Sequence, residues 1–538
     1  MKKSILKKLV CLFMVALIAV LSFPVSAEEF AKGYYIDSIS GSDSGLGTKL
    51  SPWKTTENLK NVQLEAGDGI YFKRGGEYYG ELTLTCEGTE EMPIVITSYG
   101  DASDAPACLY TLHKTEVLRL FDCSYVTVED LEITAPNGGG IWIDALNRTS
   151  EGITLNRLNM HNMPNGAMRG RDNLGAGAAG ARACVMVKGL VARSRYAVND
   201  LTITNCEMYD CGNGISVWGS WNDRQDAWCE IDEIDPIFNT GLLVENVFFH
   251  DMMAEAIVVG ICDGALVTNC RSINCCQDRG IDENGKIMFY NAAMWFWGSI
   301  NSTIEHTEIA GQKMVGDGMA VDFDSYCHNC MYQYIYSHDN TRFVVNNPMY
   351  DGHKNNVVRY CLSVNDNRGD NELACRKEGE YGLQFYNNTL VNCSEYGFKN
   401  LYNATVANNI FVMNEGSRFE YKVDDLRHNN DFSNNCIYGQ NNPLVDISAV
   451  KCNPGFSGTD CSDMNSFTLS KDSPLIGAGK EIEGAPEKDF FGNDITSINI
   501  GCYGGEGTDT EYDRDLIIVR IFRFIKNLFR NLFQDIFD

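Results

Sequence analysis

Six short segments alternate apolar residues with residues able to do chemistry: IWID (141–144), CVMVK (184–188), ISVWG (215–219), AMWFWG (293–298), MAVDFD (319–324) and RFVVNN (342–347). Successive side chains of a strand face opposite ways. Ile141, Ile143, Val185, Val187, Ile215, Val217, Met294, Phe296, Met319, Val321 and Phe323 then point inward. Trp142, Asp144, Lys188, Trp218, Trp295, Trp297, Asp322, Asp324 and Asn346 point outward, with RFVVNN read as offering Val344 and Asn346 to that face. Four tryptophans and three carboxylates share one face. Trp rings stack on the apolar faces of sugars, and paired carboxylates cleave glycosidic bonds, with retention at ~5–5.5 Å separation and inversion at ~6.5–9.5 Å. Outward neighbours on one strand lie ~6.6 Å apart, so Asp322 and Asp324 lean towards an inverting acid/base pair. Trp295, Trp297 and Trp218 serve as sugar platforms, with Trp142, Lys188 and Asn346 along the same binding face.

Two further residues are candidate assistants. Asp317, in VGDGMA, sits at a Gly-flanked turn near the cleft mouth, where an Asp also serves as an ordinary turn residue. His338, in His338-Asp339-Asn340, looks catalytic by letter. However, His250-Asp251 and Tyr209-Asp210 take the same repeat position, which makes the Asp first of all a turn or ladder element. Other readings of the column stand beside the hydrolytic one. The Trp pair also fits simple packing beneath an inserted loop. Asp317, Asp322 and Asp324 also fit a Ca²⁺ site, with Lys188 as the base of a β-elimination. No cofactor is expected on the hydrolytic reading, and no metal pattern of the CxxC…CxxC or HExxH kind occurs; Cys327-His328-Asn329-Cys330 lacks a second half.

The elements that position these residues announce themselves as a repeat. ITLNRLNMHN (153–162), LTITNCEMYD (201–210), LLVENVFFHD (242–251), ALVTNCRSIN (265–274), VVRYCLSVND (357–366) and GLQFYNNTLVN (382–392) share one pattern. In four of them an Asn precedes an Asp or Asn by five residues: Asn205 and Asp210, Asn246 and Asp251, Asn269 and Asn274, Asn387 and Asn392. Polar ends recur 23 residues apart from Asp251 to Asn274, 27 from Asp339 to Asp366 and 26 from Asp366 to Asn392. Alternation at a period of two means strand, and a strand pair of this length buries itself only by stacking on its neighbours. The expected fold is an all-β solenoid of about eleven coils from 126–134 to Ile437.

Around the coils, residues 1–27 read as an export signal, with Lys2, Lys3, Lys7 and Lys8 ahead of an apolar run and a small-residue cleavage site. The protein is therefore expected to be secreted. Without that segment 40 basic residues face 72 acidic ones, a net charge of −32 that repels nucleic acid. Residues 28–110 hold an N-terminal cap and first coils, including a short capped helix at Ser51-Pro52-Trp53-Lys54, and 111–440 the solenoid body. Residues 441–507 form an irregular closing cap, and 508–538 a tail. Long excursions fall at 165–180 and 221–240, where binding loops are commonly found. In the tail, Ile518, Ile521, Phe522, Ile525, Leu528, Phe529, Leu532, Phe533 and Ile536 share one helical face, opposite Arg520, Arg523, Lys526 and Arg530. This basic amphipathic α-helix, over 516–537, is expected to touch a membrane, dock a partner or fold back on the last coil, retaining the protein at the cell surface in the first case. Six of the 21 Cys recur as Asn-Cys, mostly at matching repeat positions, which predicts an internal stack of thiols; Cys452 and Cys461 are the pair expected to be bridged.

The opening block (YYIDSISGSDSGLGT…SPWKT…AGDGIYFKRGGEY…MPIVITSYG), the coils and the closing SPLIGAG…DFFGN…NIGCYG resemble secreted bacterial right-handed parallel β-helix proteins of the pectate-lyase-like superfamily. The resemblance covers about residues 33–505 and implies a right-handed parallel β-helix. It also implies a carbohydrate-active function, since members are mostly polysaccharide lyases, glycoside hydrolases and epimerases, with some adhesins and tailspikes. The polygalacturonase series and the Trp-x-Asp-His signature of pectate lyases are not found. The reading is thus a monomeric glycoside hydrolase acting on a polysaccharide, with a Ca²⁺-dependent lyase and a non-catalytic carbohydrate-binding adhesin as alternatives.

Overall fold

Alternation and polar corners together build a parallel β-helix. The computed structural model describes residues 31–163, 183–187, 194–221, 236–277, 291–313, 318–324, 326–347, 353–366, 371–374, 380–399, 401–421, 428–439, 446 and 448–510. The tail helix expected over 508–538 lies outside them beyond residue 510. Three faces wind around one core. The first carries 14 parallel strands from Gly33–Ile36 to Asp431–Ser433, each paired to the strand of the next coil. Eleven of these run from Val126–Glu129 onward, and the three before them show that the N-terminal cap region is itself coiled. The second face runs from Glu77–Tyr79 through Glu207–Cys211 and Phe248–His250 to Cys436–Tyr438. The third runs from Leu82–Leu84 through Asn213–Trp218, Ile257–Gly260, Met294–Trp297 and Met319–Asp324 to Asn371–Ala374. Second and third faces merge in the long strand Thr389–Lys399, whose two halves pair with Leu362–Val364 and Asn371–Ala374.

The recurring Asn and Asp residues are the corners, except that Asn365, with φ of 60°, and not the buried Asp366 beside it, turns the chain in its coil. Asn205, Asn246 and Asn269 turn the chain from first to second face with φ of 55°, 53° and 53°; Asp210, Asp251, Asn274 and Asp339 turn it towards the third with φ of 50°, 54°, 54° and 57°. Asn and Asp visit this left-handed region more readily than other L-residues, and the five-residue spacing is one corner plus the short second-face strand. Corner amides also bond from coil to coil: Asn246 Nδ2 donates to Asn205 Oδ1 at 2.7 Å, and Asn392 Nδ2 to Asn365 Oδ1 at 2.7 Å.

The residue after each corner points into the core. Cys206, Cys270 and Cys361 fill this place in earlier coils, where the thiols act as small apolar groups; burial pushes all three up to about 12. In later coils the column turns polar. Asn388 Nδ2 donates to Asn409 Oδ1 at 3.1 Å, Asn409 Nδ2 to Asn435 Oδ1 at 3.0 Å, and Asn435 Nδ2 to Asp446 Oδ2 at 2.9 Å. No disulfide joins any of the 18 described cysteines, and 15 of them are buried, as an internal stack requires. Cys452 and Cys461 are both free thiols, which corrects the bridge expected between them. The two lie against different coils: Cys461 Sγ accepts from Asn392 Nδ2, whereas the Cys452 carbonyl accepts from the Cys436 thiol.

The caps depart from their sequence reading in one detail. The short helix of the N-terminal cap is a 3₁₀ turn at Glu57–Asn61, four residues beyond Trp53. The closing cap docks on corner amides that the last coils leave over: Asn408 Nδ2 donates to Lys480 O at 2.8 Å, Asn434 Nδ2 to Ala478 O at 2.9 Å, and Asn387 Nδ2 to Gly501 O at 3.0 Å.

Candidate functional site

The third-face strands confirm the inward half of the alternation. Ile143, Val187, Val217, Val259, Phe296 and Phe323 align in one inward row, all buried. Beneath them Tyr332 packs against Phe323 and Phe296 with ring centroids 4.4 and 5.2 Å away, and its hydroxyl donates to the Asp322 carbonyl. The Cys327 thiol donates to the Asp324 carbonyl at 2.9 Å. The strand that carries both carboxylates is therefore held from below by aromatic packing and from its end by a hydrogen bond.

Strand register sets Trp295 beside Asp322 and Trp297 beside Asp324 in consecutive coils. Trp218 joins them from two coils away. Gly260 stands between Trp218 and Trp297 in the register, and a Cβ there would meet Trp218 Cε3 at 2.6 Å; its absence makes room for the indole. The Trp218 ring lies 5.4 Å from Trp297 at 63° and 6.3 Å from Trp295 at 77°. The result is one cluster of three indoles against two aspartates. Its Trp295 Nε1–H is buried with no hydrogen-bond partner, a donor with unmet demand for an oxygen.

Outward from the coil is not outward to solvent. Asp322 is 5% exposed and Trp297 6%; Ser216 and Val258, in the row that leads to Trp295, are buried too, while Trp218, Trp295 and Asp324 are partly exposed. In sequence, the segments 164–182, 188–193, 222–235, 278–290, 314–317 and 348–352 join the ends of third-face strands, and all lie outside the described residues. Lys188 and Asp317 fall among them.

Four sequence-based placements need correction. Trp142 does not join the cluster: the register runs Trp142, Met186, Ser216, Val258, Trp295, which puts four strand spacings, ~19 Å, between the two indoles. It packs instead with Arg119, whose guanidinium lies 5.8 Å from its ring. Asp144, 1% exposed, accepts from Arg119 Nε at 2.7 Å and is neutralised there. Val344 is buried in the inward row, and Asn346 aligns with inward Phe323, so Asn347 is the residue in register with Asp324. Phe343 and Val344 are both fully buried, so this segment shows no alternation by which to choose a face. His338 belongs to the second face, where its ring lies within hydrogen-bond reach of Asp339 (2.9 Å) and Glu308 (3.3 Å). These carboxylates hold its pKa above the usual imidazole value against the opposing effect of burial.

A buried acid was missed. Glu255 takes an inward place just before Ile257–Gly260 on the third face and accepts from Asn213 Nδ2 at 3.1 Å and from Asn291 Nδ2. Desolvation pushes its carboxyl up to about 7. The only sequence signal is an acid where alternation asks for an apolar residue. No group of three or more His, Cys, Asp or Glu side chains suited to hold a metal ion occurs among the described residues.

No protein-family model matches the chain, and no curated protein matches it in sequence. Solved structures do. The chain is similar to GH136 lacto-N-biosidase from Eubacterium ramulus, in its selenomethionine derivative (TM-score 0.52, 19% identity) and its native form (TM-score 0.51, 18% identity). Each alignment covers 74% of this chain and 67% of the other. It is also similar to XylC in complex with xylose, at a TM-score of 0.49 and 11% identity over 89% of this chain and 99% of that one. The shared feature is the fold. It is a parallel β-helix, as the repeats imply.

Proposed function

We propose that this protein is an exported glycoside hydrolase that cleaves a polysaccharide on the third face of its β-helix. One observation carries the reading: the register that sets Trp295 and Trp297 against Asp322 and Asp324, with an unpartnered indole N–H at Trp295. The indoles offer apolar faces for sugar rings, and the Trp295 N–H offers a donor for a hydroxyl or ring oxygen. Asp322 and Asp324 stand two residues apart on one strand, a backbone separation of ~6.6 Å, which favours an inverting arrangement with room for water between carboxylate and sugar. Asp322, the more shielded, holds the proton for the leaving oxygen; Asp324, nearer solvent, activates water on the opposite face of the ring.

The fold supports carbohydrate chemistry through its likeness to a lacto-N-biosidase, and the choice of hydrolysis rests on the carboxylate pair. The basic amphipathic segment 516–537 would hold the exported protein at a membrane surface. A panel of neutral and anionic polysaccharides, read for new reducing ends and for ultraviolet absorbance of unsaturated products, tests the reaction. The hydrolase gives reducing ends without that absorbance and is indifferent to chelator. Chelator-sensitive absorbance would establish elimination instead, and release of nothing from any substrate would leave a binding protein.

A further inference from the structure

The second face carries an open site that the third-face chemistry does not use. At the first-to-second corner of three coils lies a groove of about 390 Å³ lined by Arg157, Asn159, Asn205, Glu207, Asn246 and Phe248. That volume lies within the range of small-molecule sites. Its floor is a row across three strands: Asn159, Glu207 and Phe248 are aligned in register across successive coils. Its rim is the corner ladder, in which Asn205 Nδ2 donates to Asn156 Oδ1 at 3.0 Å and Asn246 Nδ2 to Asn205 Oδ1, so the amides are held in place. Beside it rises a wall of stacked rings. His161, Tyr209 and His250 follow one another at 4.9 and 4.8 Å with interplanar angles of 14° and 5°.

The chemistry of the lining selects a ligand class. Asn159 Oδ1 and, in the ring wall beside the groove, His161 Nδ1 are buried without hydrogen-bond partners, and the Glu207 side chain is 47% exposed, with Oε1 3.5 Å from His250 Nε2. Asn amides supply donors within the same groove, and Phe248 supplies an apolar surface, backed by Arg271 at 5.0 Å from its ring. Arg157 holds no anion: its guanidinium is already paired with Asp130 at 2.8 Å and Glu129 at 2.8 Å. A groove with acceptors, fixed donors, an apolar face and no uncommitted cation suits a neutral, polyhydroxylated ligand and repels an anionic one. We propose that this groove is a second saccharide-binding site, taking a neutral oligosaccharide segment while the third face does the cutting. The closing cap leaves the site open, since its corner contacts are made to Asn387, Asn408 and Asn434, several coils away.

Affinity electrophoresis in gels containing xylan, mixed-linkage β-glucan or galactomannan, with polygalacturonate and alginate as anionic gels, tests the proposal. The Asp322→Asn protein is used throughout, so that cleavage does not consume the gel. Retardation is expected in at least one neutral gel and in neither anionic gel. It should weaken about tenfold in Phe248→Ala and in Asn159→Ala, with unchanged melting temperature. Glu207→Gln, which keeps the shape of the side chain, covers the case in which Phe248→Ala fails to fold, and should weaken binding likewise. Retardation unchanged in all three variants, retardation only in anionic gels, or none in any gel would overturn the site. Activity of the unmutated catalytic face on short soluble substrate should be the same in Phe248→Ala and wild type, so failure of this site and failure of the hydrolase reading are separately visible.

Discussion

Glu255 couples the folded state to pH. Its carboxyl titrates near 7 in the fold, above the ordinary range, because it is buried against the amides of Asn213 and Asn291. Between the unfolded and folded pKa the native state keeps a proton that the unfolded chain has released, so stability falls as pH rises from about 4.5 to about 7 and then levels. The slope is worth on the order of 3 kcal/mol over that window. Glu255→Gln removes it. Thermal melts from about pH 5 to about pH 8 should show the variant gaining on wild type as pH rises; an equal loss at every pH would mean that the side chain acts only by packing. Asp366 titrates near 6, raised by burial against the opposing hydroxyls of Ser337 and Ser363, and adds a smaller slope of the same sign. Neither acid was legible as a site. Each sits at an inward place of the repeat, and the partners of Glu255 are 42 and 36 residues away in the chain, in other coils.

The coil corner is the element that the sequence displayed most openly. Asn and Asp recur there because φ near 55° is required in every coil, so their spacing is legible from the residues alone. The two Asn columns should respond differently to mutation. On the surface, Asn329→Gly keeps the backbone freedom and loses two exposed amide bonds, one to Asn301 and one from Asn355, at a cost of about 1 kcal/mol or less. In the core, Asn409→Leu removes the acceptor of the Asn388 backbone N–H and of one Asn388 amide hydrogen, and the side-chain donor to the Phe385 carbonyl and the Asn435 oxygen, and should cost about 2–4 kcal/mol in denaturant melts. Similar costs for the two would contradict the ladder as described. Strand faces were legible where alternation was clean, as in MAVDFD, and failed in RFVVNN, where Phe343 and Val344 are both buried and only pairing with Met319–Asp324 fixes the register. His338 was separated from the carboxylates by the same kind of information, the strand series to which it belongs.

At the scale of the whole molecule, the long shared core explains the cysteines. Fifteen of the 18 described thiols are buried and none is bridged, so among these 18 alkylation of the native protein should reach Cys108, Cys452 and Cys461 first, and alkylation after unfolding without reductant should label nearly all. Predominantly paired cysteines in mass spectrometry would contradict the stacked core. The solenoid and its coil number followed from period and alternation alone, whereas burial on the third face did not, because alternation tells which way a side chain leaves the coil and not how far it is buried. That is why Asp322 and Trp297, read as lining an open cleft, are nearly inaccessible. The account stands or falls on the carboxylate pair beneath the indoles. The decisive measurement is the rate of reducing-end release by wild type, Asp322→Asn and Asp324→Asn on whichever polysaccharide the panel selects, alongside their melting temperatures. The account predicts a loss of ~10² or more in each variant with melting nearly unchanged; wild-type rates in both, or loss of folding in place of loss of rate, would contradict it.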